Sequence, residues 1–232
     1  MYKRVLLKLS GEALGNGKGI YDPEYLDGLA EEIKDIVAGG TEVAIVVGGG
    51  NLIRGRILEN MGFERVSADR MGMLSTVMNA IALEAVLADH NVKAKALSAL
   101  DVEVCEKYDP KTSNDYLKEG YVTIFGGGVS QPYFSTDSTA ILRAIENKCD
   151  VVLLAKNGTD GVYDKDPGLY KDAKRYSELS YDELLEKGLK VIDLTAAAMA
   201  KEYGIESLVF NMNDKGNIKK AINDKTIGTI IR

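Results

Sequence analysis

A lysine at the tip of one apolar run and glycine clusters at the ends of three such runs are the residues of this chain whose types and spacing could do chemistry. Lys8 sits in Leu6-Leu7-Lys8-Leu9-Ser10-Gly11, with apolar neighbours on both sides. Gly48, Gly49 and Gly50 follow the run at 43–47, and Gly126, Gly127 and Gly128 follow the run at 122–125. Short β-branched runs that end in glycine read as buried parallel strands feeding loops. An open α/β sheet binds its ligands at the carboxyl ends of such strands, where glycine lets backbone N–H groups approach a phosphate closely. One glycine cluster alone would mean only a strand-to-helix turn. Three, converging on one crevice, predict an anion site.

The charged residues near these turns each have two readings. Lys8 either snorkels to solvent or points into the crevice, where its ammonium could hold the oxygen that bridges two phosphates; beside Ser10-Gly11 the crevice is preferred. Arg54 follows the triple glycine in Gly50-Asn51-Leu52-Ile53-Arg54. If a helix begins near Asn51, its guanidinium could reach an anion at that helix's amino end; otherwise it is an exposed helix arginine. Asp137, in Phe134-Ser135-Thr136-Asp137-Ser138, stands where a helix begins, so Thr136 and Asp137 could merely cap free amides. No G-x-x-x-x-G-K-[ST] sequence occurs, which removes the P-loop cradle. Gly15-Asn16-Gly17-Lys18-Gly19-Ile20 also fails the dinucleotide fingerprint and reads as a surface loop.

Histidine and cysteine chemistry have little to stand on. The chain has a single histidine, His90, in a polar turn at the end of a long helical pattern, where it reads as a solvated residue near a helix carboxyl end. A Ser-His-Asp triad, a phosphohistidine or a histidine-rich zinc site would each have to rest on it alone. The only cysteines are Cys105 and Cys149, far apart in sequence; Cys149, just before an apolar run, reads as a small buried hydrophobe. Lysine, carboxylates and backbone amides are left to do the work.

Elements to position these groups are legible. Asp22-Pro23 opens a helix whose apolar residues Leu26, Leu29, Ile33, Ile36 and Val37 recur at helical spacing, with Gly39-Gly40 as its stop. From 68 to 88 a long helix is predicted, with Met71, Leu74, Val77, Met78, Ile81 and Ala85 as its core-facing side. Strands are expected at 92–97, 121–125, 151–155, 207–210 and 226–231, and helices at 113–119, 136–146, 181–186 and 195–202. This alternation predicts a three-layer α/β/α sandwich around a mostly parallel sheet. At 232 residues, 45% hydrophobic and 28% charged, the chain fits one α/β domain or two lobes on a continuous sheet, with neither disorder nor membrane insertion indicated. No signal-peptide pattern precedes Val5, which predicts a cytoplasmic chain with reduced thiols. A formal charge of -6 argues against a sequence-independent nucleic-acid binder.

Taken together, residues 8–14 (KLSGEAL), 47–55 (VGGGNLIRG), 69–74 (DRMGML) and 210–213 (FNMN) resemble the bacterial UMP kinases of the amino acid kinase superfamily, nearly end to end. Residues 157–167 (NGTDGVYDKDP) are similar to that family's adenine and ribose loop, and 191–195 (VIDLT) to a further active-site segment. The resemblance implies one domain, with residues 1–150 mainly the acceptor lobe, 151–232 mainly the ATP lobe, and a shared sheet. It implies transfer of the ATP γ-phosphoryl group to UMP in pyrimidine nucleotide biosynthesis, with Mg²⁺ bridging ATP oxygens and no protein residue assigned as a metal ligand. Lys8, Leu9, Ser10 and Gly11 would meet the ATP phosphates, with Gly50 on the ATP side and Gly49 on the UMP side of the junction. Arg54 would grip phosphate of either nucleotide, Asp69 would accept hydrogen bonds from the UMP ribose, and Asn157, Tyr163 and Asp166 would line the ATP nucleoside pocket. Asp137 would orient the catalytic lysine, with Asp193 a second carboxylate beside it. The family is typically a homohexamer activated by GTP and inhibited by UTP.

The acceptor segment departs from the family pattern. Where the family reads glycine, threonine, glycine, asparagine, proline, this chain has Gly128, Val129, Ser130, Gln131 and Pro132, followed by Tyr133, Phe134, Ser135 and Thr136, which would hold UMP. Val129 offers no side-chain donor or acceptor, so a polar contact is lost there or is made by Ser130, Gln131 or backbone. The 15–21 stretch also differs from the family's GTP-associated segment. Two other functions share the fold: phosphorylation of a carboxylate or carbamate, and non-catalytic binding of a nucleotide or oxyanion.

Overall fold

Asp22 caps the helix that its sequence announces: its carboxylate accepts from the Glu24 amide, Pro23 stands in the first turn, and Gly39 closes the carboxyl end. Local signals of this kind account for most of the framework. The computed structural model describes residues 2–15, 17 and 19–232, with Arg56 described by its backbone alone. Asn16 and Lys18 of the expected surface loop lie outside the described residues. In chain order the elements are β1 (Arg4–Leu9), α1 (Gly11–Gly15), α2 (Pro23–Ala38), β2 (Glu42–Val47), α3 (Gly55–Asn60), α4 (Arg65–Asp89) and β3 (Ala94–Ser98). There follow β4 (Glu106–Lys107), α5 (Pro110–Lys118), β5 (Val122–Gly126), α6 (Thr136–Glu146), β6 (Val151–Lys156), β7 (Glu178–Leu179) and α7 (Tyr181–Glu186). The chain closes with α8 (Leu194–Tyr203), β8 (Glu206–Asn211), α9 (Asn217–Asn223) and β9 (Thr229–Ile231).

The strands form one sheet in the order β4-β3-β5-β2-β1-β6-β8-β9-β7, parallel except for β8 against β9. Alternation along each strand divides two hydrophobic cores. Val5, Leu7 and Leu9 of β1 join Leu29 and Ile33 of α2, Leu83 and Leu87 of α4 and Ile218 of α9 on one face. Leu6, with Val152 and Leu154 of β6, joins Ile141 of α6, Leu184 of α7 and Ala196 of α8 on the other. The result is the three-layer α/β/α sandwich expected from the alternation. Because β1, β2, β5 and β6 are parallel neighbours, their carboxyl ends meet at one edge, and all three glycine clusters fall there.

Several elements differ from the sequence-based expectation. Of the six residues assigned to the inner face of α4, only Val77 is fully buried, whereas Leu74 and Met78 are exposed. The buried stripe is instead Ala68, Ser75, Val77, Asn79, Ala80, Leu83 and Leu87. Small and polar residues occupy its first half because that half covers the glycine turns rather than the core. This helix is long and apolar enough to cross a membrane, yet it lies along β3 and β5 with Leu83 and Leu87 in the core. No helix begins at Asn51: the amides of Leu52 and Ile53 both donate to the Gly49 carbonyl in a turn, and α3 starts at Gly55 with Arg54 as its N-cap. The expected strand at 226–231 opens as a 3₁₀ turn, Lys225–Ile227, before β9. His90 does cap α4, but its imidazole is mostly covered, with Nδ1 2.9 Å from the Val86 carbonyl.

Helix α4 meets the end of β5 at van der Waals closeness. A Cβ on Gly126 would lie 2.8 Å from the Val77 Cα and 3.1 Å from the Thr76 carbonyl oxygen, so helix and sheet would have to part. Gly126→Ala is therefore expected to cost about 1–3 kcal/mol and to lower the melting temperature by about 2–12 °C in a thermal scan. An unchanged melting temperature would contradict this packing.

Candidate active site

Lys8 shares its face of β1 with Leu6, so its side chain leaves the core on the α6 side just where the sheet ends. There its Nζ lies 3.0 Å from Oδ1 of Asp137 in the first turn of α6, and the two side chains are 12% and 17% exposed. Lys8 thus points into the crevice, and Asp137 is an ion-pair partner rather than only a helix-capping residue. Ser135 is the N-cap of α6, accepting from the amides of Asp137 and Ser138.

The glycine turns close around this pair. A Cβ on Gly11 would lie 2.6 Å from both the Gly48 carbonyl oxygen and the Gly50 nitrogen, which shows how tightly the first and second turns pack. The second turn is held by Asn79, fully buried on α4: its Nδ2 donates to the Gly48 carbonyl at 2.7 Å and to Asn51 Oδ1 at 2.8 Å, while its Oδ1 accepts from Tyr21 at 2.9 Å. The third turn is held by Thr76, whose Oγ1 accepts from the Gly127 amide at 2.8 Å. Buried Arg143 donates to the Gly128 carbonyl at 3.0 Å. Tyr21, Thr76, Asn79 and Arg143 were not singled out by the sequence reading; polar residues interrupting apolar helical faces were the available signal.

Beside the turns lies a cavity of about 290 Å³ whose walls include Gly49, Arg65, Asp69, Gln131, Phe134 and Thr136. It gathers much of the expected acceptor set, Ser135 included, whereas Val129, Ser130, Pro132, Tyr133 and Arg54 lie outside its walls. The Asp69 carboxylate accepts from Arg65 Nε at 2.9 and 3.0 Å and from the Tyr133 amide at 2.8 Å, which ties the 128–134 loop to α4. That pairing holds the Arg65 guanidinium above its ordinary pKa. Ser130 and Tyr133 adopt left-handed φ values of 62° and 72°, a conformation non-glycine residues rarely take. Ser130 stands where the resembled family reads glycine. Gln131, not Val129 or Ser130, borders the cavity. Arg54 sits at the rim, its Nε 3.2 Å from Glu12 Oε1.

Asp193 reaches the same place from the other side. As N-cap of α8 it accepts from the Ala196 amide at 2.9 Å, and it also accepts from the hydroxyls of Ser135 and of Ser138, the latter at 3.1 Å. It therefore ties the amino ends of α6 and α8 together and does not contact Lys8. A second cavity, of about 620 Å³, is lined by Asp137, Lys156, Leu189, Val191, Asp193 and Leu194. Lys156 ends β6 and donates to the Val191 carbonyl at 2.7 Å. Burial first, then the neighbouring Lys8 ammonium, holds its pKa below the ordinary lysine value, against the pull of Asp137. Asn157, Tyr163 and Asp166 follow on the loop after β6, outside the walls of that cavity. Tyr163 donates to Asp160 at 2.7 Å, and Asp166 accepts from the Gly168 amide at 2.8 Å.

Other nucleophiles are out of play. Burial pushes the Cys149 thiol up to about 12, and burial together with Glu84 and Glu106 pushes Cys105 up to about 11. Among the described residues, no group of three or more His, Cys, Asp or Glu is placed to hold a metal ion.

Residues 3–211 match the model of the Amino acid kinase family. A uridylate kinase of Nocardioides sp. is 45% identical over 231 residues, 99% of this chain and 98% of the relative. One from Colwellia psychrerythraea is 48% identical over 232 residues, covering 99% and 94% of the two chains. Among solved structures, UMP kinase from Bacillus anthracis superposes with a TM-score of 0.96 at 38% identity, covering 100% of this chain and 96% of that one. The uridylate kinase from Archaeoglobus fulgidus superposes at 0.74 and 30% identity, covering 98% and 99%.

The buried Asn79 gives the geometry of the turns a direct check. Asn79→Leu strips partners from the Gly48 carbonyl and from the Asn51 and Tyr21 side chains. Guanidinium unfolding is expected to show a loss of about 2–4 kcal/mol, and a loss under about 0.5 kcal/mol would contradict the network.

Proposed function

The chain belongs to the amino acid kinase family, and we infer from the site that it transfers the γ-phosphoryl group of ATP to UMP, giving UDP and ADP. The observation that carries this reading is the Lys8–Asp137 pair, set where the glycine turns meet and between two cavities, one of which holds Asp69. In-line phosphoryl transfer asks a protein for positioning and for positive charge where the transition state spreads negative charge. Lys8, held by Asp137, supplies that charge, and the amides of the Gly11 and Gly48–Gly50 turns supply donors around it. The attacking atom is a phosphate oxygen of UMP, already largely deprotonated near neutral pH, so no general base is needed. The distance of His90 from these turns, at the far end of α4, accords with that chemistry.

On the acceptor side, Asp69 exchanges its contacts with Arg65 and Tyr133 for ribose hydroxyls, while Gln131 and Thr136 face the uracil end. Arg54, released from Glu12, grips phosphate at the rim. On the donor side, Leu9, Ser10, Gly11 and Gly50 take the phosphates, and Asn157, Tyr163 and Asp166 take the nucleoside. Mg²⁺ brought in with the nucleotide would supply charge neutralisation of the donor phosphates. Asp193 keeps α6 and α8 in register so that Asp137 stays on Lys8. Residues 1–150 thereby serve chiefly the acceptor and 151–232 chiefly ATP, across one sheet. GTP activation and UTP inhibition, and a cytoplasmic setting, complete the reading.

A homohexamer accords with the outer face of α4. Leu74 and Met78 are 49% and 55% exposed, and Ile57 and Met61 of the adjoining α3 are 51% and 69% exposed. A second copy of this chain is the occupant we assign to that apolar face.

Incubation with Mg-ATP and a panel of acceptors, following ADP, tests the activity. Release with UMP is expected; release with a carboxylate or carbamate, or binding without turnover, would overturn it. In the same assay Lys8→Ala is expected to lower kcat by about 10²–10³ while nucleotide binding stays measurable. For assembly, light scattering is expected to give a hexamer for the wild type and a smaller species for Leu74→Glu combined with Met78→Glu. An unchanged mass would contradict that interface.

A further inference from the structure

Two lysines, not one, stand at the sheet edge where the phosphates are placed. Lys8 is paired in register with Leu154 of β6, and Lys156 lies two residues further along the same strand. In parallel strands paired residues face the same way, and a two-residue step returns to the same face. Leu6, Val152 and Leu154 belong to one core beneath α6 and α8, so Lys8 and Lys156 both extend that face into the crevice at its open end. Asp137 borders both: it is ion-paired with Lys8 and shares the second cavity's wall with Lys156.

Among the described residues Lys156 has no carboxylate within ion-pair distance, although Asp137 and Asp193 share its cavity. Asp137 answers one ammonium, and the carboxylate of Asp193 is occupied by two serine hydroxyls and the Ala196 amide. Among the described residues the Lys156 ammonium makes one bond, to the neutral Val191 carbonyl, which leaves two of its three donors for a ligand. Burial first, and then the neighbouring Lys8 ammonium, lowers its pKa. An anion entering the 620 Å³ cavity beside it would compensate the desolvated ammonium and offset its repulsion from Lys8.

We propose that Lys156 is a second phosphate-binding lysine, contacting the β- and γ-phosphates of the phosphoryl donor from the strand next to that of Lys8. This rests on the donor assignment above, and it adds a contact to the polyphosphate rather than to the nucleoside or the acceptor. Lys8 reaches the donor from β1 and Lys156 from β6, so the chain between the phosphates is held from two strands.

Calorimetric titration of the full chain with a non-hydrolysable ATP analogue, AMP and UMP tests it. Lys156→Met is expected to weaken the triphosphate by about 10- to 100-fold, the scale of a lost charge-assisted hydrogen bond, with AMP and UMP held within about twofold. Lys156→Arg, which keeps the charge, is expected to recover most of the loss; it carries the test alone, through its triphosphate-to-AMP affinity ratio, if the methionine variant melts below the assay temperature. Equal weakening of AMP and the triphosphate, or none, overturns the proposal. The titration needs no acceptor turnover, so a chain that binds triphosphate through Lys156 yet forms no UDP would fail the acceptor reading alone.

Discussion

An ammonium and a carboxylate held together at the carboxyl edge of a parallel sheet are the constraint on which the rest of the structure depends. Removing Lys8 and Asp137 from bulk water costs several kcal/mol per ion, and their mutual attraction offsets that cost only while the geometry is kept. Everything that fixes the geometry is therefore part of the site. β1 delivers Lys8, the Ser135 cap starts α6 at the position that brings Asp137 to it, and Asp193 bonds to Ser135 and Ser138 from α8. The pair is less a source of stability than a preset charge, aimed before any ligand arrives.

Helix α4 explains how the glycine turns are kept in place without side chains of their own. Ser75 and Asn79 lie buried on its inner face with Thr76 half-buried between them; Thr76 and Asn79 are bonded to the backbone of the third and second turns, while Asp69, one turn earlier on the helix than Met73, holds the 128–134 loop through Tyr133. One helix thus sets two of the three turns and the Asp69 carboxylate at the first cavity. That duty displaces apolar residues from its inner face, and Leu74 and Met78 are left outside.

Elements announced by local chemistry were readable from the sequence. Helix α2 is bounded by Asp22-Pro23 and Gly39, α6 and α7 begin after serine caps, and the strands are continuous apolar runs because both their faces are buried. Lys8 was legible because a charge interrupts such a run beside glycine. The face of α4 was not, since apolar periodicity alone cannot tell a core-facing side from an exposed one, and the side that covers the turns carries polar residues. Helix α3 escaped because the Gly49–Ile53 turn delays its start. Lys156 escaped for a different reason: it reads as the polar stop of an apolar run, and its meaning arises only when the topology sets β6 beside β1. Gln131 is similar, its approach to the cavity fixed by the left-handed turns at Ser130 and Tyr133.

The central claim is that the Lys8 amine and the turn amides form one phosphate site. A crystal structure of the chain with a non-hydrolysable ATP analogue and UMP tests it most directly. The account predicts Lys8 Nζ within hydrogen-bonding distance of donor phosphate oxygens, still beside Asp137, with amides of the Gly11 and Gly48–Gly50 turns on the same phosphates. Phosphates bound elsewhere, with Lys8 touching only Asp137, would contradict it.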